Sequence, residues 1–240
     1  ASFTLTLGAS VAKAGSIVSI SVNGMDENGE EVEAQDALVT SSDERVASVE
    51  NGSIVTKKAG TVTITASLNG TETSAQLTVV EPSAEWGGVY RIDSAKFEGY
   101  LLEPGADQVA EGSNLYLWNT AIAQTRMWSF TDAGDGYVYW HPNSRMDLVI
   151  QGGDLNANLF MAQKADTDEK WKIIKDEASG NYRIQNKASG LYVATENDGN
   201  QQLIQMKEEG AETSLWLMNE LEASTSLEVS ANFVQVGQTV

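Results

Sequence analysis

The chain has 240 residues, enough for two domains that each bury a core, and carries a net charge of −19. An acidic chain whose longest basic run is Lys57-Lys58 offers no positive surface onto which a nucleic-acid backbone can release its counterions. It has no cysteine, which excludes disulfides and thiolate chemistry, and no apolar run near the ~18–20 residues of a membrane span.

Residues 1 to 80 alternate with period 2. Phe3, Leu5 and Leu7 share one face, Val18, Ile20 and Val22 another, and Val62, Ile64 and Ala66 are followed by Ala75, Leu77 and Val79. Short strands rich in Val, Thr and Ile predict an antiparallel β-sandwich. Asn23-Gly24, Asn28-Gly29, Asn51-Gly52 and Asn69-Gly70 supply residues that tolerate the positive φ of tight hairpin turns. The acidic run Asp26-Glu27-Asn28-Gly29-Glu30-Glu31 lacks the spacing of a calcium loop and is expected at a solvated hairpin tip.

Within this stretch, Val46-Ala47-Ser48-Val49 precedes the turn at Asn51-Gly52, and Ala59-Gly60-Thr61-Val62-Thr63-Ile64-Thr65-Ala66 follows it. The segment 1–81 resembles the bacterial immunoglobulin-like group 2 domain. That resemblance implies a seven-stranded sandwich serving as a spacer in surface proteins, with no catalytic role. Glu81-Pro82-Ser83 marks the boundary, because proline cannot donate to a β-ladder. Trp86, just beyond it, is expected to pack between domains.

From Gly88 to Asn219 one pattern is repeated. Its copies open at Tyr90-Arg91-Ile92, Tyr137-Val138-Tyr139 and Tyr182-Arg183-Ile184, and close on Trp128, Trp171 and Trp216, spaced 43 and 45 residues apart. A steady period predicts one supersecondary unit used three times. The three closing tryptophans sit on alternating strands and are expected in the core.

Residues 84–221 resemble the ricin-type β-trefoil lectins, whose repeats read Tyr-Leu-Asp-Val, then Gly-x-x-Val-x-Leu-Trp, then Gln-x-Trp. In sugar-binding members the aspartate takes two sugar hydroxyls, an aromatic ring covers the sugar's apolar face, and polar residues at the Gln-x-Trp step complete the grip. Aligning Leu101, Leu148 and Val193 places Leu102, Val149 and Ala194 at the aspartate position. Arg126, Glu169 and Ser214 stand at the glutamine, and only the first copy keeps the aromatic, in Leu115-Tyr116-Leu117-Trp118. Trp140 is set level with Asp93 and Gln185 and is therefore expected to face outward, where an exposed ring points to a ligand. The candidate ligand-binding residues are Trp118, Asn119, Glu103, Trp140 and Asp147. His141, the sole histidine, is expected in a turn.

Residues 226–231 and 236–240 align with 4–9 and 14–18 at a constant offset of 222. Residues 222–240 are therefore expected to begin a second immunoglobulin-like domain, the alternative being a C-terminal extension that pairs as an edge strand. The expected class is all-β, an immunoglobulin-like sandwich followed by a β-trefoil. The expected function is that of a non-catalytic carbohydrate-binding module on the spacers of a bacterial secreted or wall-attached protein. It would take glycans and further domains of its own polypeptide as partners, without nucleic acid, membrane span, cofactor or metal. The alternative is a structural stalk segment of an adhesin whose trefoil has lost sugar binding.

Overall fold

A computed structural model describes residues 3–25, 31–34, 36–104, 109–119, 126–196, 202–208, 210 and 212–221. The readings made for 26–30 and for 222–240 lie outside the described residues. The first lobe comprises β1 (Phe3–Leu7), β2 (Val11–Lys13), β3 (Ile17–Met25), β4 (Glu31–Glu33), β5 (Leu38–Ser41), β6 (Ala47–Glu50), β7 (Ser53–Thr56), β8 (Gly60–Leu68) and β9 (Thr71–Val80). They form two sheets, β1-β3-β7-β6 with β4 also paired to β3, and β2-β9-β8-β5. Every pairing is antiparallel except β2 on β9. Alternation does what its period requires: Val62, Ile64 and Ala66 of β8 and Leu77 and Val79 of β9 are buried, and all of these but Ala66 share one core cluster with Val18, Ala47 and Ile54 of the facing sheet.

Two of the four Asn-Gly pairs make the expected tight turns. Asn51 and Gly52 join β6 to β7 and Asn69 and Gly70 join β8 to β9, all four with positive φ. Asn23-Gly24 is not a turn. Both residues continue β3, which pairs with β1 on one side (Asn23 with Thr4) and with β4 on the other (Asn23 with Glu33). Pairing on both edges holds this segment extended against its local turn preference.

The second lobe comprises β10 (Val89–Ser94), β11 (Leu101–Pro104), β12 (Leu115–Trp118), β13 (Trp128–Asp132), β14 (Val138–Pro142), β15 (Leu148–Gln151), β16 (Phe160–Gln163), β17 (Lys170–Lys175), β18 (Tyr182–Asn186), β19 (Tyr192–Ala194), β20 (Gln202–Leu203), β21 (Gln205–Lys207) and β22 (Trp216–Leu221). The first and last strands of each repeat pair in a closed ring, β10-β13-β14-β17-β18-β22 and back to β10. The middle strands form three hairpins, β11–β12, β15–β16 and β19–β21. A six-stranded barrel capped by three hairpins is a β-trefoil. Its pseudo-threefold axis is marked by a ring of backbone bonds: Leu115 N–H to Leu159 O, Leu159 N–H to Ile204 O and Ile204 N–H to Leu115 O, each 3.0 Å.

The closing tryptophans are core, as their spacing predicts. Trp128, Trp171 and Trp216 are fully buried, and their indole N–H groups donate to Leu102 O, Ile150 O and Val193 O at 3.2, 2.9 and 2.9 Å. These equivalent bonds set the true register of the repeats, which on the second strand differs from the sequence alignment by one residue in the first copy and by two in the second. Tyr90, Val138 and Tyr182 each pair with a closing tryptophan, so Val138 rather than Tyr137 opens the second copy. A slip of one residue inverts every side chain of a strand. Trp140 is therefore level with Ile92 and Ile184, and like them is fully buried. The expectation that it faces outward is corrected: it packs edge-on to Trp128 and Trp171, with ring centroids at 5.1 and 5.9 Å.

Trp86, expected at the junction of the domains, packs against Tyr90, Tyr182 and Phe130 of the barrel. The linker brings it there, because Pro82 bridges to Thr131 and Ser83 N–H donates to Phe130 O at 3.1 Å, running the chain along β13.

Candidate functional site

The outer face of the first hairpin is built by cross-strand pairing. Leu102 and Leu117 are opposite each other and point into the core, so their neighbours point away: Leu101 opposite Trp118, and Glu103 opposite Tyr116. The bond from Trp128 Nε1 to Leu102 O holds this strand in place, and Arg126, two residues before Trp128, reaches Glu103 with Nε to Oε2 at 2.5 Å. The pair is largely withdrawn from solvent, with side chains 15% and 9% exposed for Arg126 and Glu103. Burial pushes the Glu103 carboxyl above the usual range, and Arg126 only partly offsets this. Trp118 is half-buried and its Nε1 is buried without a hydrogen-bond partner among the described residues. Asn119 follows at the end of the strand and is exposed.

The corrected register changes which residues stand level with the aspartate of the resembled lectins. With Leu102, Ile150 and Val193 equivalent, the next residues are Glu103, Gln151 and Ala194, in place of Leu102, Val149 and Ala194. The two-residue shift has its own signature at the base of the hairpins. Ser94 N–H donates to Tyr100 O and Asn186 N–H to Leu191 O, both at 2.9 Å. The matching residue of the second copy is Pro142, which has no N–H, and the corresponding carbonyl of Leu148 takes its bond from His141 Nδ1 at 2.7 Å. His141 is thus a buried strand residue and not the expected turn residue. Nδ1 must donate to a carbonyl, which leaves Nε2 to accept from Thr131 Oγ1 at 2.8 Å. Burial pushes its pKa down to about 4, consistent with a neutral ring.

The other copies present different chemistry at these positions. Gln151, Ala162 and Glu169 stand in the second. Glu169 is fully buried and accepts from Ala165 N and Thr167 N at 2.9 and 2.5 Å, so its carboxylate closes its own loop. The third has Ala194, Lys207 and Ser214. Lys207 Nζ donates to Asn156 Oδ1 and Glu196 Oε1, and buried Ser214 accepts from Arg183. Of the residues at these three positions, those of the first copy alone combine a carboxylate with an aromatic ring.

Asp147 is elsewhere. It lines a cleft of about 380 Å³ between the lobes, walled by Val11 and Val80 on one side and by Tyr139, Met146 and Lys164 on the other. Neither Glu103 nor Trp118 lines it. Both Asp147 oxygens accept from Arg145, at 2.8 and 2.7 Å, and this guanidinium holds the carboxyl below its usual range. The structure thus places Glu103, Trp118 and Asn119 on one hairpin, sends Trp140 to the core and leaves Asp147 in a separate ion pair. Tyr116 was missed as a candidate, although its alternation with Leu115 and Leu117 signals an outward ring. Among the described residues no three His, Asp or Glu side chains are grouped to hold a metal, and no helix is long and apolar enough to cross a membrane.

Residues 167–233 match the ricin-type β-trefoil lectin domain-like family. No curated protein matches the chain. Among solved structures, the designed threefold-symmetric protein ThreeFoil superposes with a TM-score of 0.51 at 18% identity, over 56% of this chain and 99% of its own. A mosquitocidal holotoxin gives 0.50 at 14% identity, over 62% of this chain, which spans 18% of the toxin. The Macrolepiota procera ricin B-like lectin, solved with lactose, gives 0.49 at 14% identity, over 58% of this chain and 99% of its own. At such identities the first two likenesses establish the trefoil fold and nothing about ligands.

Proposed function

We propose that this chain is a non-catalytic carbohydrate-binding module carried on immunoglobulin-like spacers of a bacterial secreted or cell-surface protein. The outer face of β11–β12 is its ligand face. The observation that carries this reading is the joint placement of Glu103, Tyr116 and Trp118 on that face, at positions equivalent to the carboxylate and ring of the resembled lectins. A carboxylate that orients hydroxyls beside a ring that covers C–H groups is the chemistry a sugar requires. One such site binds weakly, and affinity on a surface comes from several copies. In this reading the domains are 1–81, 84–221 and a further domain beginning within 222–240. The spacer assignment is supported by strand order. The sheets β1-β3-β7-β6 and β5-β8-β9 have the two-sheet plan of a constant-type immunoglobulin sandwich, with β2 added in parallel to β9.

The test is a glycan array followed by calorimetry on the full chain, with Trp118→Ala as the key variant. A millimolar or tighter ligand that Trp118→Ala abolishes, with the melting temperature little changed, supports the reading. Silence across neutral and acidic glycans supports the second reading, a structural bead. That alternative draws on the Glu103–Arg126 pair, which already occupies the carboxylate, and on the unrelated chemistry of the other two copies.

A further inference from the structure

The trefoil's first and last strands lie side by side. Val89 pairs with Leu221, and the ladder runs inward through Tyr90 with Glu220 to Ser94 with Trp216. Tension between the linker and Leu221 therefore acts across the ladder at its terminal pair, and the pairs break one after another. The other neighbour of β22 is β18, which holds it by the single pair Tyr182 with Trp216, at the far end. The linker side is better fastened. Lys13 Nζ donates to Gly87 O and Gly88 O, both at 3.0 Å, Ser83 N–H holds Phe130 O, and Trp86 is seated against Tyr90, Phe130 and Tyr182. So β22 is the strand that moves. Its removal carries away Trp216, a core residue whose indole ties β22 to Val193 O, and opens the barrel ring.

The sandwich meets the same load in another geometry. Tension enters at Phe3 and leaves at Val80. Here β2 lies parallel to β9, with Val11, Ala12 and Lys13 opposite Thr78, Val79 and Val80. Strands drawn from opposite ends along their own axis must slide. Their ladder, extended by Thr78 N–H to Ser10 O and Ala14 N–H to Val80 O at 2.9 Å, is strained all at once. The five β1–β3 pairs, from Phe3 with Gly24 to Leu7 with Ile20, are loaded lengthwise as well. Breaking bonds together takes more force than breaking them in turn, and forced unfolding follows the unfolding rate along the pulled path.

We propose that the chain is a two-stage mechanical element: under tension the trefoil unzips from β22 at low force, extending the chain and dismantling the lobe, while the sandwich stays folded. This goes beyond the ligand reading and does not depend on what the trefoil binds.

Single-molecule force spectroscopy tests it. The chain has no cysteine, so Thr4→Cys with Leu221→Cys gives unique handles on the full chain. The expected trace has a first, weaker event releasing up to roughly 440–480 Å from residues 89–221. A second, stronger event releases up to roughly 250–280 Å from residues 4–80. Moving one handle to Lys96→Cys, with Leu221→Cys kept, pulls β10 and β22 from opposite ends of their ladder and is expected to raise the trefoil's rupture force severalfold. A trace in which the sandwich opens first overturns the proposal, as does a trefoil force unchanged between the two attachments.

Discussion

His141 owes its setting to a proline. Because Pro142 has no N–H, the carbonyl of Leu148 accepts the histidine's Nδ1 proton, and the ring is locked between that carbonyl and Thr131. The folded-state pKa is pushed down to about 4 by burial, whereas the unfolded ring titrates near ~6.5. The unfolded chain therefore takes up the proton first, so this contribution to stability is complete above pH ~6.5 and is lost as pH falls toward 4. Its full extent is roughly 3 kcal/mol. His141→Gln, which installs the residue found at the equivalent Gln185, is expected to flatten that part of the pH–stability profile in denaturant titrations. Glu103 shifts the other way. Its raised pKa means that hydroxyl recognition by the ionised carboxylate should fade on acidification earlier than for an ordinary glutamate, in calorimetry from pH 7 down to 4. Glu103→Gln should bind with much less dependence on pH over that range.

At the scale of elements, β14 shows why repeat alignment misleads. Tyr137 matches Tyr90 and Tyr182 by residue type, but the ladder matches Val138 to them. Residue identity then placed Trp140 on the wrong face, while its real equivalents, Ile92 and Ile184, are core residues. Trp140→Ala is expected to cost about 3–5 kcal/mol, the range for a large ring removed from a packed core. Trp118→Ala, which removes a half-buried ring on the outer side of its hairpin, should cost less, so thermal denaturation of the two variants is a direct check of the register. The same logic explains what was legible in the candidate site. Trp118 and Asn119 could be set at the end of one strand from the sequence because the Leu-x-Leu-Trp pattern is local to that strand. Glu103 could be paired with Arg126 only once the fold had brought β11 beside the approach to β13.

At the scale of the molecule, Lys13 of the first lobe reaches the start of the second. Its ammonium, with a pKa lowered by burial and partly restored by Glu220, donates to two consecutive carbonyls of the linker. Lys13→Ala should cost about 1–2 kcal/mol where the lobes unfold together, since two charge-assisted bonds are lost but the carbonyls can turn to water. It should also broaden the distribution of interlobe distances in small-angle scattering. Unchanged scattering and stability would mean that the linker pairing of Ser83 with Phe130 holds the lobes without it.

By itself the sequence determined what is local or periodic: alternating strands, the two Asn-Gly hairpins at residues 51–52 and 69–70, a threefold repeat and three buried tryptophans. These follow from side-chain spacing and backbone preference, which neighbouring residues express without help from the rest of the chain. The tertiary structure alone decided the register of β14, the burial of Trp140, the extension of Asn23-Gly24, the seating of Trp86 in the barrel and the separation of Asp147 from Glu103. Each depends on which distant strand supplies the hydrogen bonds, and a backbone donor or acceptor cannot announce its partner in its own sequence.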